Sequence, residues 1–318
     1  MIRPHPGSCR LHALLLPLLA ALLAACAAST PPPPAGAAAA PAAYEPQRGQ
    51  PGKDVVWVPT PDEVLTRMLD MAGVTASDLV VDLGSGDGKI AIAAARERGA
   101  RARGLEYNPD LVALSRQRAQ QAGVAGRVEF LQADIFKSDF SDASVVTMYL
   151  LPALNLRLRE TLLRMKPGTR VVSHSFDMGT WEADERALVG NAAVFMWTVP
   201  ANASGRWTLS APRLSGAPLT LDLAQHFQRL VGEADFGRLS ASLMQPRLQG
   251  TRIAFVLRDA AGALLQFDGE VAGDRIAGTV ARAGGRAVPF EARRVGVTRP
   301  IGGMEPTAHE LRIMGDPF

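Results

Sequence analysis

The residues best placed to do chemistry lie in the stretch VVDLGSGDGKIAIAAA, Val80 to Ala95. Asp82, Gly84, Gly86 and Gly88 read D-x-G-x-G-x-G beside a helix N-terminus. Glycine takes positive φ without a side-chain clash and lets a ligand touch the backbone. The turn is not the dinucleotide pattern G-x-G-x-x-G, because Lys89 and Ile90 fill the slots where a third glycine could pack helix on strand. It is not G-x-x-x-x-G-K-[ST] either, so Lys89 is not a phosphate lysine by that pattern. Two carboxylates sharpen the picture. Glu106 ends the following strand about twenty residues past the turn, where an acid can accept hydrogen bonds from both ribose hydroxyls. Asp134 ends the third strand in LQADIF, where it or the next backbone amide can meet an adenine edge. Acids at successive strand ends suit a neutral or cationic nucleoside better than a polyphosphate.

The elements that must position these residues alternate between strand and helix. Thr60-Pro61-Asp62-Glu63 reads as a helix start, with Thr60 as N-cap, Pro61 at N1 and Glu63 closing a capping box. LVVDL is an apolar strand, followed after the turn by a helix from about Asp87 to Arg98 that stops at Gly99. ARGLEY is the second strand, and Asn108 caps a helix opened by Pro109. VEFLQAD, ASVVTMYL and TRVVSHSF supply three more strands, with a helix over 153–165. This alternation predicts an α/β fold over 54–200, a Rossmann-like, mostly parallel sheet with helices on both faces. Ligands of such sheets sit at the carboxyl ends of the strands. Beyond Pro200 the runs become short and alternating, from GRWTLS to AVPFEARR. They predict a small antiparallel β domain over 201–297, a meander or barrel. A helical pattern appears there only around LAQHFQRLVG, and FDGEVAGDRIAGTV reads as a hairpin turning at Gly-Asp. No reactive constellation appears in this part, which reads as a stability or docking module. The tail, 298–318, is expected to be irregular.

The N-terminus has another character. Arg3 and Arg10 precede an apolar run, Leu11 to Ala25, that is short for a membrane span of roughly 20 residues. It closes on LAAC, which resembles a bacterial lipoprotein signal over 1–25 with lipidation of Cys26. Residues 26–53, rich in Pro, Ala and Gly, then form a disordered tether. Cys9 would leave with the leader, so disulfides and thiolate metal sites are excluded. The expected place is the cell envelope, anchored on the periplasmic side, at the outer membrane rather than the inner; a misassigned start would make the chain cytoplasmic. Formal net charge over the 318 residues is +3, with Arg3 and Arg10 in the leader. A field that weak does not argue for nucleic acid. A monomer is expected.

The segments VVDLGSGDGKIAIAAA, GLEYNPDLVALSRQRA and EFLQADIF resemble the first three motifs of class I S-adenosylmethionine-dependent methyltransferases, over about 54–199. Within that superfamily the chain is most similar to bacterial relatives of the mitochondrial lysine methyltransferase family, the FAM173 group. The shared features are Val58 to Pro61, the Gly84 to Gly88 turn, Glu106-Tyr107-Asn108-Pro109, and Tyr149 to Pro152. The tyrosine usual before VPT is Trp57 here, which keeps an aromatic wall and removes a hydroxyl. The resemblance implies S-adenosyl-L-methionine as cofactor. It would set Asp82 and Gly84 at the methionine moiety, Glu106 at the ribose, and Asp134 with Ile135 at the adenine. Ser85, Gly86, Gly88, Tyr107 and Asn108 complete the implied cofactor set.

Methyl transfer is in-line displacement on an already activated carbon, so alignment and exclusion of water are the main demands on the protein. The implied acceptor is a protein lysine or another amine. Trp57 and Tyr149 could flank it, unless they simply pack in the core. Thr60 lies at the same entry, though capping suffices to explain it. Asn155 either reaches this mouth or caps a helix. His174, at the end of the fifth strand, has a proton or substrate role or is structural. His226 and His309 show no metal-ligand spacing, and no metal is expected. Two alternatives stand beside this reading: a small-molecule or lipid acceptor, and a non-catalytic envelope lipoprotein that keeps the fold.

Overall fold

The computed structural model describes residues 44–212, 217–237, 239–303 and 305–315. The expected leader, Cys26 and the first part of the tether lie outside them. The chain runs α1 (Asp62–Met71), β1 (Leu79–Leu83), α2 (Lys89–Arg98), β2 (Arg101–Glu106), α3 (Pro109–Gln121), β3 (Val128–Gln132), β4 (Val145–Met148), α4 (Pro152–Leu163), β5 (Arg170–His174), β6 (Glu185–Val189) and β7 (Ala192–Thr198). These strands form one sheet in the order β3-β2-β1-β4-β5-β7-β6. The first five are parallel, and β7 runs antiparallel to both neighbours. The β6–β7 hairpin at this edge has no counterpart in the sequence reading.

The continuous apolar character of β1, β4 and β5 follows from burial on both faces. Residues of α1, α2 and α3 pack into one core on one face. Residues of α4, with Phe140, Met178, Trp181 and Trp197, fill the other face. The strand order reverses between β1 and β4, which opens a crevice at their carboxyl ends.

From residue 205 the chain is antiparallel: β8 (Gly205–Ser210), β9 (Leu219–His226), β10 (Arg229–Asp235), β11 (Ser240–Ser242), β12 (Met244–Gln249), β13 (Arg252–Arg258), β14 (Leu264–Ala272), β15 (Arg275–Arg282) and β16 (Val288–Val295). β8 pairs with both β9 and β16, so the sheet curls round. β11 pairs with β10, β12 pairs with β13, and Leu243 between them donates its N–H to Gly232 O at 2.8 Å. The sheet is therefore nearly closed. Inward residues such as Trp207, Leu221, Phe255, Phe267 and Phe290 fill it, as in small barrels.

Two expectations fail here for identifiable reasons. LAQHFQRLVG is not helical: β9 and β10 form a hairpin in which buried and exposed residues alternate, and Phe227 turns the corner at φ +50°. That phenylalanine leaves the barrel and stacks on Trp181, 5.9 Å between centroids, inside the core of the parallel sheet. The tail is not irregular throughout: α5 (Ala308–Gly315) packs on α4 through Glu310, buried beside Arg159. The hairpin at Gly273-Asp274 forms as read, with Ala272 opposite Arg275. Among the described residues no helix is long and apolar enough to cross a membrane.

Candidate active site

The glycine turn leaves β1 at the reversal point. Gly84 and Ser85 donate their N–H groups to Leu105 O at 2.9 and 3.0 Å, which ties the turn to β2. Gly86 has φ +55°, and a Cβ there would stand 2.7 Å from the Trp57 indole nitrogen. Gly88, at φ +82°, caps α2, and a Cβ would come within 2.6 Å of Phe130. Gly88 thus provides the close helix–strand approach for which Lys89 and Ile90 leave no third glycine. The Ser85 hydroxyl has no partner among the described residues and lies against Gly104, so Ser85 offers the cavity its backbone.

Three acids surround this turn in different states. Asp82 is 2% exposed and accepts a hydrogen bond from Thr147 Oγ1 at 2.7 Å. Burial pushes its carboxyl up to about 7 against that bond, and the charges of Asp87 and Glu106 push the same way. Glu106 uses both oxygens: Gly86 N donates to one and Asn108 N to the other, each at 2.9 Å. It fixes the turn from the next strand. Asn108 caps α3 as expected, accepting from Asp110 N at 2.8 Å. Asp134 accepts from Lys53 Nζ at 2.9 Å and from Phe136 N at 3.0 Å. The lysine, then the backbone donor, hold its carboxyl below the usual range.

A cavity of about 270 Å³ gathers these residues. Asp82, Gly84, Ser85, Gly86, Glu106, Tyr107, Asn108, Asp134 and Ile135 all line it, as do Trp57, Thr60 and Tyr149. Gly88 supports the turn from beneath without lining the cavity. The segment Gln50 to Val56 forms one wall, so the end of the expected disordered tether over 26–53 is ordered here. Backbone bonds between Gly49 and Trp57 and between Gly52 and Val55 fold it into a turn. Lys53 reaches from there to Asp134 and lies 5.1 Å over the Tyr107 ring. The apolar run Val55-Val56-Trp57-Val58 after Pro51-Gly52 is the sequence signal that could have marked it.

The other end of the cavity is apolar and aromatic. Trp57, Tyr149, Leu150, Leu154 and Phe176 form its walls. Phe176 was not singled out in the sequence. Thr60 is not the cap of α1, because Pro61 holds that position and no side chain caps the helix. Its hydroxyl instead turns inward to His174 Nδ1, 3.2 Å away. Asn155 neither caps a helix nor reaches the cavity: it is buried in α4 and donates to the carbonyls of Phe176 and Asp177. His174 is buried against Tyr149 and is not a cavity wall. Burial pulls it down to about 4, so it is neutral at pH 7. Among the described residues no cluster of His, Cys, Asp or Glu could hold a metal ion.

Known proteins align with this region. The ANTKMT methyltransferase domain family matches residues 82–185. A protein-lysine N-methyltransferase from Saccharolobus islandicus is 42% identical over 133 residues, 41% of this chain and 83% of that protein. The adenine nucleotide translocase lysine N-methyltransferase of Mus musculus is 38% identical over 128 residues, 40% of this chain and 55% of its own length. The chain thus spans little more than half of that mammalian relative. A solved structure, an RNA methyltransferase from Salinibacter ruber in complex with S-adenosyl-L-homocysteine, is 52% identical, covering 45% of this chain and 94% of that one, with a TM-score of 0.44. The geometry suits such a cofactor. A Cβ at Gly86 would collide with the Trp57 indole at the cavity wall, and the buried Asp82 lines the same cavity, where it can pair with a cationic group. This chain belongs to the same family as that archaeal protein-lysine N-methyltransferase, carries an ANTKMT-type methyltransferase domain over residues 82–185, and is an S-adenosyl-L-methionine-dependent methyltransferase.

Proposed function

We propose that the chain N-methylates a protein lysine. The observation that carries this most is the 42% identity to the archaeal protein-lysine N-methyltransferase, of which the chain spans 83%. The apolar, aromatic end of the cavity supports it. When bound, S-adenosyl-L-methionine supplies a methyl group made electrophilic by the sulfonium. Asp82, ionised, would pair with its α-ammonium, and Glu106 would accept from its ribose hydroxyls. Asp134, with Ile135, takes the adenine. An acceptor lysine would have to be neutral at Nζ to take that methyl group, so its ammonium proton would first have to leave to water. An unperturbed lysine holds that proton to about pH 10.4. Walls of Trp57, Tyr149, Leu150, Leu154 and Phe176 disfavour the ammonium and lower that value. The Tyr149 oxygen can accept a hydrogen bond from the incoming amine.

The test is incubation of the full chain with methyl-labelled cofactor and host-cell protein, followed by acid hydrolysis. Label recovered as methyl-lysine is the expected result. Label confined to the organic-extractable or small-molecule fraction contradicts it and favours the lipid or small-molecule acceptor. We also propose export with a lipid at Cys26, supported by the LAAC leader and the Pro/Ala-rich segment after it. A Cys26→Ser variant should leave the membrane fraction. A soluble cytoplasmic chain insensitive to that change contradicts export.

A further inference from the structure

A group of buried polar residues with no part in holding the cofactor meets at the end of β5. His174 is 3% exposed, Ser173 and Asn155 are fully buried, and Thr60 is 5% exposed. The His174 ring lies 3.8 Å from the Tyr149 ring, centroid to centroid, with the planes 33° apart. Its Nδ1 is fixed by Thr60 Oγ1 at 3.2 Å. The next residue, Ser175, has φ +68°, left-handed backbone that a non-glycine residue rarely adopts. Phe176 N donates to His174 O at 2.9 Å across it, closing a three-residue turn. Such a turn is strained and persists only where its surroundings over-determine it. Here they do. Asn155 Nδ2 donates to Phe176 O and Asp177 O at 3.1 Å each, Ser173 Oγ donates to Phe176 O at 2.6 Å, and Ser175 N donates to Ala193 O at 2.7 Å.

Thr60 is held from the opposite side. Lys89, the first residue of α2 after the glycine turn, donates to the Thr60 carbonyl at 2.7 Å and pairs with Asp62 at 2.8 Å. The lysine that matched no phosphate pattern thus begins a line of contacts from the glycine turn through Thr60 and His174 to Tyr149.

We propose that His174 is a positioning residue for methyl transfer: its ring, tied to Thr60, holds the Tyr149 ring at the acceptor end of the cavity, and Lys89 couples that clamp to the glycine turn. This rests on the reading that Tyr149 flanks the acceptor. His174 is not the acceptor's proton partner, since it does not line the cavity and its Nδ1 is engaged with Thr60. Its contribution is to the orientation of a neighbouring ring, where a displacement of about 1 Å can cost on the order of a hundredfold in rate.

The chain has three tyrosines, so ¹⁹F spectra of the full chain grown with 3-fluorotyrosine resolve Tyr44, Tyr107 and Tyr149, with Tyr149→Phe identifying the last. In His174→Ala the Tyr149 resonance should shift, as the adjacent ring is lost, and broaden, as the phenol reorients. S-adenosyl-L-homocysteine should still bind within about twofold by calorimetry, because the cofactor contacts are untouched. His174→Phe, which restores a stacked ring without the Thr60 link, should recover most of the position and width. It decides the question if the alanine variant disturbs folding. Methyl transfer to poly-L-lysine should fall at least about tenfold in kcat in His174→Ala, with the cofactor KM unchanged. A Tyr149 resonance unaltered in both variants overturns the proposal, as does a loss of cofactor affinity matching the loss of turnover. Absence of transfer to lysine by the unmodified chain counts against the lysine reading alone and leaves the resonance test standing.

Discussion

The two ends of the cavity are built by opposite means. At the end we assign to the cofactor, a short contiguous stretch forms the wall through its backbone: the turn from Gly84 to Gly88 is shaped by positive φ and tied down by Leu105 and Glu106 of the adjacent strand. At the end we assign to the acceptor, the walls are side chains from separate segments. Thr60 and His174 meet across 114 residues, and Arg159 and Glu310, which frame the loop behind Phe176, meet across 151. A binding surface made of backbone can be written in a motif. One made of side chains depends on the fold bringing distant segments together, and it can change its acceptor without altering the cofactor turn.

The largest expected effect tests the frame of the acceptor end. Glu310 accepts from Arg159, Thr180 N and Thr307 N in a buried site. Burial alone would raise its carboxyl, but Arg159 and these donors hold it well below the usual range. Its stabilising effect is present above the ordinary glutamate pKa and is lost as pH falls below it. Glu310→Ala leaves Arg159 buried without its partner and should cost about 3–5 kcal/mol in denaturant unfolding at pH 7. A loss under about 1 kcal/mol would mean that the C-terminal helix is not part of that frame.

Next in size is Glu106→Ala at the cofactor end. The charge-assisted bonds proposed to the ribose hydroxyls disappear, worth about 1.5–3 kcal/mol, or on the order of 10- to 100-fold in cofactor affinity. The thermal unfolding temperature without cofactor should fall as well, because Gly86 N and Asn108 N lose their acceptor, but the folded fraction should still show the loss of affinity. If stability collapses while the affinity of the folded fraction survives, the acid serves the fold and not the ligand.

A smaller effect separates the two ends by pH. The Asp82 carboxyl is raised to about 7, mainly by burial. It is therefore largely protonated at pH 6 and ionised at pH 8, and only the ionised form pairs with an α-ammonium. Cofactor affinity should rise about tenfold across that interval, and Asp82→Asn should flatten the profile. For the chain alone the sign is opposite: the protonated form is favoured by folding, so this contribution to stability is full below pH about 4 and fades as pH rises through about 7. His174, pulled down to about 4, should add no titration between pH 6 and 8. The smallest effect expected is from Thr60→Val, about 0.5–1.5 kcal/mol of stability for the lost hydrogen bond, with cofactor affinity unchanged.

This contrast also explains what could be read from the sequence. The strand–turn–helix around Asp82, the Asn108 cap and the Gly273-Asp274 hairpin are local, and each follows from a few neighbouring residues. Thr60 misled because Thr-Pro-Asp-Glu is a sound capping pattern, yet the hydroxyl has a better partner in His174, far away in sequence. LAQHFQRLVG carries apolar residues at helical spacing, but burial along β9 alternates and pairing with β10 decides the outcome. The tail helix and the wall at Gln50 to Val56 are short segments that order against surfaces made elsewhere in the chain. Their composition alone carries little of that information.

The most direct measurement is a crystal structure of the full chain with S-adenosyl-L-homocysteine. The expected result sets the ribose hydroxyls within hydrogen-bond distance of Glu106, the amino group near Asp82, and the sulfur facing the Tyr149 end of the cavity, with Tyr149 still packed against His174. A ligand whose ribose lies away from Glu106, or whose sulfur points away from Tyr149, would contradict the division of the cavity into a cofactor end and an acceptor end.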